Sequence, residues 1–322
     1  MVIKNYNGYG NAHHMQLYGH VFEKELPRLP ASTKGGLYNI LYLFRCFNIK
    51  PIPGLQVVLQ KESQKTEAVT EDDGFFSLQW EEPVEMVAGW QKMSTQVAGN
   101  AKDFAANILV PHSTQFAFIS DIDDTILISY SGSPLKKIWE LLSRSPAKRR
   151  LFKDVSRHYN LLTRAHTSTD APNPFFYVSS SEWNLYDYLQ ELFGVHKLPE
   201  GVFLLNQVKQ LHQLFKTGIG NHEGKLLRII RIFEALPTQR FVLFGDNSQK
   251  DPSIYLALAE KYPHRIHAVY IRSVSKNKIQ ESQVIMDTIS AKKIHTCFFE
   301  KSNEAIAHSE KIGLIVNNVT VT

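Results

Sequence analysis

FAFISDIDDT, at residues 116–125, joins an apolar run of strand length to a pair of carboxylates. The apolar part ends at Ile119, and Asp121, Asp123 and Thr125 follow it at alternate positions. In an open parallel α/β sheet, ligands bind just beyond the carboxyl ends of the strands. We therefore predict that this run is a strand of a parallel sheet and that its polar end lies in a ligand site.

The chain after about residue 113 repeats this pattern. Further apolar runs of strand length occur at residues 175–178, 241–244 and 266–271, with another candidate at 295–299. Between them, residues 225–233 and 254–259 carry apolar side chains at helical spacing. Alternating strands and helices are typical of a parallel sheet with crossover helices. The sequence predicts a Rossmann-like α/β domain over residues 114–322.

The first part of the chain has a different pattern. Residues 37–80 contain short strand-like runs separated by turn residues, such as LQVVL at 55–59 and GFFSL at 74–78. The run at 69–76 resembles the hairpin turn of transthyretin-like sandwiches, where an Asp-Gly pair precedes an aromatic strand. We predict a small antiparallel β-sandwich-like domain over residues 1–113.

The whole-chain composition is that of a soluble globular protein, with 322 residues, 43% hydrophobic and 21% charged. The sequence has neither a membrane-spanning apolar run nor the apolar core of a signal peptide, so we expect a cytoplasmic protein. Cys46 and Cys297 lie too far apart to indicate a disulfide framework or a structural zinc. The net charge of +5 is compatible with nucleic acid, a phospholipid surface or a phosphate ester as partner.

Polar residues also follow the other predicted strands. Crowded carboxylates resist joint ionisation, so a hard divalent cation with oxygen ligands, Mg²⁺, is the expected counter-charge. Carboxylate attack on phosphorus gives an aspartyl-phosphate, and a phosphoryl group in transit requires a lysine and hydroxyl donors. Candidate hydroxyl donors after the second run are Ser179, Ser180 and Ser181. Candidate carboxylates after the third run are Asp246 and Asp251, which follow Gly245. The candidate lysine is Lys225, at the start of the predicted helix between these two runs.

The sequence resembles the haloacid dehalogenase superfamily, whose four motifs occur here in order. They are Asp-x-Asp-x-Thr, a strand followed by Ser, a Lys at a helix start, and Gly-Asp-x4-Asp. Within that superfamily, roughly residues 115–315 resemble the actin-patch-protein (yeast-type) phosphatidate phosphatases. Two positions depart from the family pattern: Glu182 replaces an expected proline, and residues 222–224 separate Lys225 from the usual direct His-Lys pair. The stretches that carry the resemblance are 121–126, 181–186, 245–252 and 270–272.

The resemblance implies Mg²⁺-dependent hydrolysis of phosphatidate to diacylglycerol and phosphate. Asp121 would be the nucleophile, and Asp123 the general acid and then the general base. Asp121 and Asp246 would bind Mg²⁺ through carboxylates and Asp123 through its backbone carbonyl. Asp251 would position a water at the metal or a neighbouring group. The implied substrate is a phospholipid met at the membrane periphery, and we expect no nucleic-acid partner.

The phosphate contacts are assigned to Ser179 and Lys225, and Thr125 and Ser180 are assigned to substrate binding. Ser179 is preferred because it comes first beyond the strand, whereas its two serine neighbours could cap the next helix. Lys225 is preferred because apolar residues follow it, although two other lysines could supply the charge. These alternatives are Ser180 or Ser181 for the hydroxyl and Lys209 or Lys216 for the ammonium.

Three further alternatives stay open at the level of sequence. The basic stretch at residues 136–157 is either a solvated helical face or a face that meets anionic headgroups. The substrate could be a soluble phosphate ester rather than a lipid. The chain could also be chiefly an interaction module with weak turnover, because its β-rich part shows no catalytic pattern.

Overall fold

The computed structural model describes residues 1–27, 36–61, 64–80, 86–130, 140–142, 144–168, 170–206 and 221–316. The described chain contains two sheets, one with eight strands and one with six. Helices connect the strands of the six-stranded sheet. The chain is therefore a mixed α/β protein, and the coarse fold prediction is confirmed.

The eight-stranded sheet is formed by residues before 111 and has the order β1-β3-β2-β8-β7-β4-β5, with β6 paired to β3. Its pairs are antiparallel except for β2 and β8, which run parallel. The predicted antiparallel β region is confirmed, whereas its sandwich-like arrangement stays a prediction. The strands are β1 Val2–Asn5, β2 Gly8–Gly10, β3 Met15–Phe22, β4 Gln56–Lys61, β5 Gln64–Val69, β6 Phe75–Trp80, β7 Gly89–Val97 and β8 Phe104–Val110.

The six-stranded sheet is parallel throughout, with the order β11-β10-β9-β12-β13-β14. All five predicted strands are present in it. Ile119 of β9 pairs with Phe176 on one side and with Leu243 on the other, so β9 lies inside the sheet. Asp121 consequently follows a strand that lies between the two strands that carry the other motifs. The strands are β9 Phe116–Ser120, β10 Phe175–Glu182, β11 Val202–Asn206, β12 Arg240–Asp246, β13 Ile266–Arg272 and β14 His295–Phe299.

The helices correct two details of the sequence predictions. A helix occupies residues 36–46, where strands were predicted, because buried Asn39, Leu43 and Cys46 recur at helical spacing. Lys225 lies one turn inside its helix rather than at its start. No helix of the described ranges is long and apolar enough to cross a membrane. The helices are α1 Gly36–Cys46, α2 Val155–Leu162, α3 Tyr186–Val195, α4 Asn221–Ala235, α5 Asp251–Lys261, α6 Ile279–Ser290 and α7 Ser302–Lys311.

A continuous hydrophobic core joins the two sheets. Tyr6 of the N-terminal region stacks on Trp183, which follows β10, with ring centroids 4.0 Å apart and an interplanar angle of 12°. Tyr9 meets Phe176 of β10 edge to face at 5.3 Å. The predicted domain boundary near residue 113 stays a prediction, but the residues on its two sides share buried surface.

We predict that Tyr6→Ala lowers the free energy of unfolding by roughly 3 to 5 kcal/mol, measured by urea denaturation. The substitution removes a buried ring that stacks on Trp183 and leaves the ring nitrogen of His20, 2.9 Å from the Tyr6 hydroxyl, without its partner. Tyr6→Phe is the matched control and keeps the stack, so it should cost only about 1 kcal/mol. Equal losses for the two variants would contradict the importance of the stacked ring.

Candidate active site

The predicted nucleophile lies at the carboxyl end of β9 and is held from two sides. The backbone N–H of Asp121 donates to the carbonyl of Phe244 at 2.9 Å, which extends the pairing with β12 by one residue. Lys225 Nζ of α4 donates to Asp121 Oδ1 at 2.7 Å and to Asp251 Oδ1 at 2.5 Å. All three charged side chains are buried. The sheet and two helices thus bring together residues that are far apart in sequence.

Three carboxylates form one cluster at this edge of the sheet. Asp121, Asp246 and Asp251 each offer a carboxylate oxygen, and these oxygens lie within 4.8 Å of one another. Asp246 Oδ1 accepts a hydrogen bond from the N–H of Ser248 at 2.6 Å. Asp246 Oδ2 is buried and receives no hydrogen bond from the described residues. Buried oxygen ligands with one unsatisfied carboxylate oxygen fit a hard divalent cation.

The electrostatics of the cluster follow from its burial. Burial raises the pKa of Asp121 well above its ordinary value, Lys225 opposes this shift, and the neighbouring aspartates add to it. Burial, reinforced by Asp251, raises the pKa of Asp246 to about 7. Burial alone would lower the pKa of Lys225, but Asp121 and Asp251 outweigh it and the pKa is raised. The cluster therefore holds a permanent ammonium among carboxylates that resist joint ionisation.

Gly245 explains how Asp251 reaches the cluster. A Cβ at position 245 would lie 2.6 Å from both the Cβ and Oδ2 of Asp251, which is too close for any side chain. The absence of a side chain lets Asp251 fold back onto the end of β12, where its Oδ2 accepts the N–H of Asp246 at 3.3 Å. The glycine of the Gly-Asp-x4-Asp motif is therefore required by close approach.

The loop after β9 folds back on itself around Asp121. Thr125 Oγ1 donates to Asp121 Oδ2 at 3.3 Å. Asp124 has a positive φ of 60°. Its Oδ1 accepts the N–H groups of Ser129 and Tyr130, each at 2.9 Å. Asp124 therefore shapes the loop, in agreement with the absence of a carboxylate at this position in the motif.

The three serines lie within β10, which continues to Glu182. Their predicted alternative role as helix caps is wrong, because α3 begins only at Tyr186. Ser181 Oγ donates to Asp123 Oδ2 at 3.2 Å across 58 residues of sequence. Ser179 is fully buried and its Oγ accepts the N–H of Ser181 at 3.0 Å, whereas Ser180 is half-buried. Ser181 contacts a predicted catalytic residue, and which serine contacts phosphate stays a prediction.

The lysine assignment rests on Lys225 itself. Its ammonium reaches the carboxylate cluster, while Lys209 and Lys216 lie outside the described residues. One turn further along α4, Arg228 Nη2 donates to the carbonyl of Ser179 at 3.2 Å. Successive turns of α4 thus reach the ends of β9 and β10.

Arg272, at the end of β13, is a further site residue to which no role was assigned from the sequence. Its Nε donates to the carbonyl of Thr125 at 3.0 Å, and its Nη2 donates to Ser302 Oγ at 3.0 Å. Its guanidinium carbon lies 4.1 Å from the ring centroid of Phe152 and 4.7 Å from that of Phe299. The guanidinium therefore fixes the loop that follows Asp121.

The basic stretch between the first two motifs is only partly described, and Trp139 lies outside the described residues. Arg144 Nε lies 2.7 Å from a carboxylate oxygen of Glu140, and Arg150 Nη2 lies 3.2 Å from the other. Arg149 is buried. These three arginines therefore have structural contacts, in addition to any contact with a ligand.

Comparison with known proteins identifies relatives of the second half of the chain. The family model described as phosphatidate phosphatase APP1, catalytic domain, matches residues 116–273. An uncharacterized protein of Schizosaccharomyces pombe is 26% identical over 175 residues, which are 54% of this chain and 27% of that protein. Phosphatidate phosphatase APP1 of Saccharomyces cerevisiae is 26% identical over 189 residues, 58% of this chain and 31% of that protein. The chain thus matches less than a third of the length of these relatives.

Solved structures offer only distant likeness. The minor pilin PilB of Streptococcus sanguinis has a TM-score of 0.32 and 9% identity, covering 84% of this chain and 90% of that chain. A carbohydrate acetylesterase from Xanthomonas citri has a TM-score of 0.31 and 9% identity, covering 95% of this chain and 70% of that chain. TM-scores this low carry no argument about fold or function.

We predict that the free energy of unfolding of the EDTA-treated protein falls as the pH rises from about 4 to about 7. Asp246 has a pKa of about 7 in the folded chain against 3.8 as the ordinary value, so the folded state keeps a proton that the unfolded chain releases. The stabilisation that this bound proton gives the folded state is complete below pH 3.8, the ordinary pKa, and is lost as the pH rises through about 7, the pKa in the folded chain. The pKa of Asp121 is also raised in the folded chain, so Asp121 lowers the free energy of unfolding over the same rise in pH.

The measurement is urea denaturation at about pH 5 and about pH 8, where one such group contributes at most about 1.4 kcal/mol per pH unit. Asp246→Asn cannot titrate at this position, so its stability should depend less on pH than that of the wild type. An unchanged pH dependence in Asp246→Asn would contradict this assignment.

Proposed function

We propose that this chain is a Mg²⁺-dependent phosphatidate phosphatase that forms an aspartyl-phosphate on Asp121, because residues 116–273 match the family model of the phosphatidate phosphatase APP1 catalytic domain. The observation that carries the proposal is the buried contact of Lys225 with Asp121 and Asp251, next to Asp246. A nucleophilic carboxylate, a fixed cation and a set of oxygen ligands meet there at the edge of a parallel sheet.

Asp121 carries out the first step. Its Oδ1 accepts from Lys225 Nζ at 2.7 Å, and this ammonium favours the ionised, nucleophilic carboxylate against the effect of burial. A carboxylate oxygen of Asp121 attacks phosphorus, and the bond between phosphorus and the glycerol oxygen breaks. Lys225 also has donors for the phosphoryl oxygens, whose negative charge must be balanced in the transition state.

Asp123 moves the protons in both steps. It first donates a proton to the departing oxygen of diacylglycerol and then accepts one from the water that attacks the aspartyl-phosphate. In that second attack the bond between phosphorus and the Asp121 oxygen breaks, which releases inorganic phosphate and restores Asp121. The hydroxyl of Ser181, 3.2 Å from Asp123 Oδ2, orients the carboxyl group for these transfers.

The carboxylates of Asp121 and Asp246 and the backbone carbonyl of Asp123 would hold Mg²⁺. When bound, the ion offsets the crowded negative charge and withdraws electrons from the phosphoryl oxygens. The unsatisfied Oδ2 of Asp246 supports this assignment. Asp251 was predicted as a metal residue as well, and its two oxygens already contact Lys225 and the N–H of Asp246. Asp251 remains within the cluster of possible ligands and also holds Lys225 against Asp121.

The substrate part of the proposal comes from the relatives. The yeast protein that matches 58% of this chain is a phosphatidate phosphatase, and the matched family model is named for the same activity. Phosphatidate is a phosphomonoester, so its phosphate suits a site that forms an aspartyl-phosphate. A soluble phosphomonoester uses the same chemistry, and a direct comparison of substrates must distinguish the two.

We predict that the protein releases phosphate from phosphatidate in mixed micelles with Mg²⁺, and does so faster than from a sugar phosphate. Asp121→Asn should lower the rate at least about a thousandfold, because the amide has the same shape but cannot act as the nucleophile. Asp287→Asn is the matched control, since Asp287 is exposed on α6, and it should keep full activity.

Two outcomes would contradict different parts of the proposal. Hydrolysis that persists in Asp121→Asn would rule out the aspartyl-phosphate. Faster turnover of the sugar phosphate would rule out phosphatidate as the preferred substrate while leaving the mechanism intact.

We also predict that EDTA abolishes hydrolysis, that Mg²⁺ restores it and that Ca²⁺ does not, because Ca²⁺ prefers more ligands at longer distances. Mg²⁺ should raise the Tm of the wild type, since an ion that binds only the folded state stabilises it. Asp246→Asn should need at least about tenfold more Mg²⁺ for the same rise in Tm. An equal response of the variant would exclude Asp246 as a ligand.

A further inference from the structure

Helix α1 is apolar on two opposite faces. One face, formed by Tyr42, Leu43, Cys46 and Phe47 at and just beyond the helix end, is buried in the core that joins the two sheets. Tyr38 of this helix is 52% exposed, and the face opposite the buried one exposes three further large apolar side chains. These are Ile40 at 41% exposure, Leu41 at 48% and Phe44 at 48%. A helix that is apolar all round is normally buried, so the exposed face indicates a surface that another molecule covers.

The three side chains form a single patch, which we call the α1 patch. At 3.6 residues per turn, Ile40, Leu41 and Phe44 project within an arc of about 100°. Other exposed apolar residues, such as Val69 on β5 and Val195 on α3, are the only large apolar exposures of their strand or helix among the described residues. Singly exposed apolar residues are ordinary on protein surfaces, whereas a patch of three on one short helix is not.

The helix is held firmly in place. Asn39 is buried, and its Nδ2 lies 2.9 Å from the carbonyl of Leu141, 3.0 Å from that of Leu142 and 3.1 Å from that of Arg144. At the other end of the helix, Asn184 Nδ2 donates to the carbonyl of Cys46 at 3.0 Å. The exposed side chains therefore project from a helix that is fixed at both ends.

Both anchors of α1 lie at the edge of the parallel sheet that carries the acidic cluster. Asn184 follows Ser181 by three residues, and Ser181 contacts Asp123. The segment bound by Asn39 belongs to the excursion between Leu127 and Leu151, which leaves from the nucleophile loop and returns to it through a β-bridge. The two anchors therefore connect α1 to the segment after β10 and to the excursion from the loop after β9, on the side of the candidate active site.

The charge carried by α1 itself is positive, and Asp187 lies close enough to its buried face to add to the effect of burial, which raises the pKa of Tyr42 and Cys46. The helix contains no acidic residue, and Arg45 in its last turn is exposed. Lys50, shortly after the helix, and Lys148, in the adjoining excursion, are exposed as well. Apolar side chains bordered by cations are typical of helices that lie in the interface of an anionic membrane. Eleven residues reach only about 16 Å, so the helix is too short to span a bilayer.

We propose that α1 docks on the surface of an anionic bilayer, with Ile40, Leu41 and Phe44 inserted at the boundary of headgroups and acyl chains. The inference rests on the proposed function for the identity of the lipid that the enzyme acts on. Docking through this face turns the edge that bears Asp121 toward the headgroups. A phosphate held at the membrane surface then reaches the nucleophile while its acyl chains stay in the bilayer.

The first test is flotation of the protein with vesicles of phosphatidylcholine and phosphatidylserine. The wild type should float with the vesicles, and the double variant Leu41→Glu, Phe44→Glu should lose at least about tenfold in binding. Val284→Glu is the matched control, because Val284 is 61% exposed on α6, and it should bind as the wild type does. An unchanged Tm of the double variant shows that it is folded. Equal flotation of double variant and wild type would overturn the proposal.

The second test compares phosphatidate in vesicles with a water-soluble, short-chain phosphatidate below its micelle concentration. The double variant should lose at least about tenfold in hydrolysis of the vesicle substrate and keep that of the soluble one. A parallel loss on both substrates would mean that α1 supports the active site itself, which would overturn membrane docking. A wild-type dimer that the variant converts to a monomer, with no vesicle binding, would make a second copy the partner and overturn it as well.

The two tests separate this inference from the proposed function. If the wild type hydrolyses neither phosphatidate, the proposed function fails, but flotation still decides whether α1 binds a bilayer. If phosphatidate is hydrolysed and the wild type does not float, docking fails and the proposed function stands.

Discussion

The ammonium of Lys225 is the interaction on which the site depends. It lies 2.7 Å from one carboxylate and 2.5 Å from another, and all three groups are buried. Burying one such carboxylate alone would drive it to the neutral form, which is useless as a nucleophile. The fixed cation opposes this shift, although the pKa of Asp121 stays raised, and Asp251 shares the same ammonium. A divalent cation at Asp246 would complete the balance of charge.

The parallel sheet gives this interaction its geometry. Because β9 lies between β10 and β12, the residues after the three strands converge without long loops. Gly245 and Arg272 then set the fine positions, one by allowing close approach of Asp251 and the other by fixing the carbonyl of Thr125. Gly245 lies on β12 and Arg272 on β13, and each fixes the position of one group in the site.

The sequence predicted the parts of this arrangement that are local. Strand-length apolar runs predicted β9, β10 and β12, and the motifs at their ends predicted the family whose model matches residues 116–273. The contact of Ser181 with Asp123 was missed because it joins residues 58 apart, and the three serines look alike in sequence. The role of Arg272 was missed because its contacts with Thr125, Phe152 and Phe299 join residues that only the fold brings together. The roles assigned to the site residues stay predictions.

Strand β11 and helix α1 were missed for different reasons. The run that forms β11 ends without a motif residue, so no functional signal in the sequence marked it as a strand of the sheet. Helix α1 is apolar on both faces, which hides the helical period that marks an ordinary amphipathic helix. Its buried side could be recognised only from the structure.

The N-terminal region acts on the connection that follows β10. Tyr6 stacks on Trp183, the N–H of Asn7 donates to the hydroxyl of Tyr186 at 3.0 Å, and Asn184 binds the end of α1. This connection begins two residues after Ser181, which contacts Asp123 in the loop after β9. The β-rich region and α1 therefore support the side of the candidate site on which Ser181 lies.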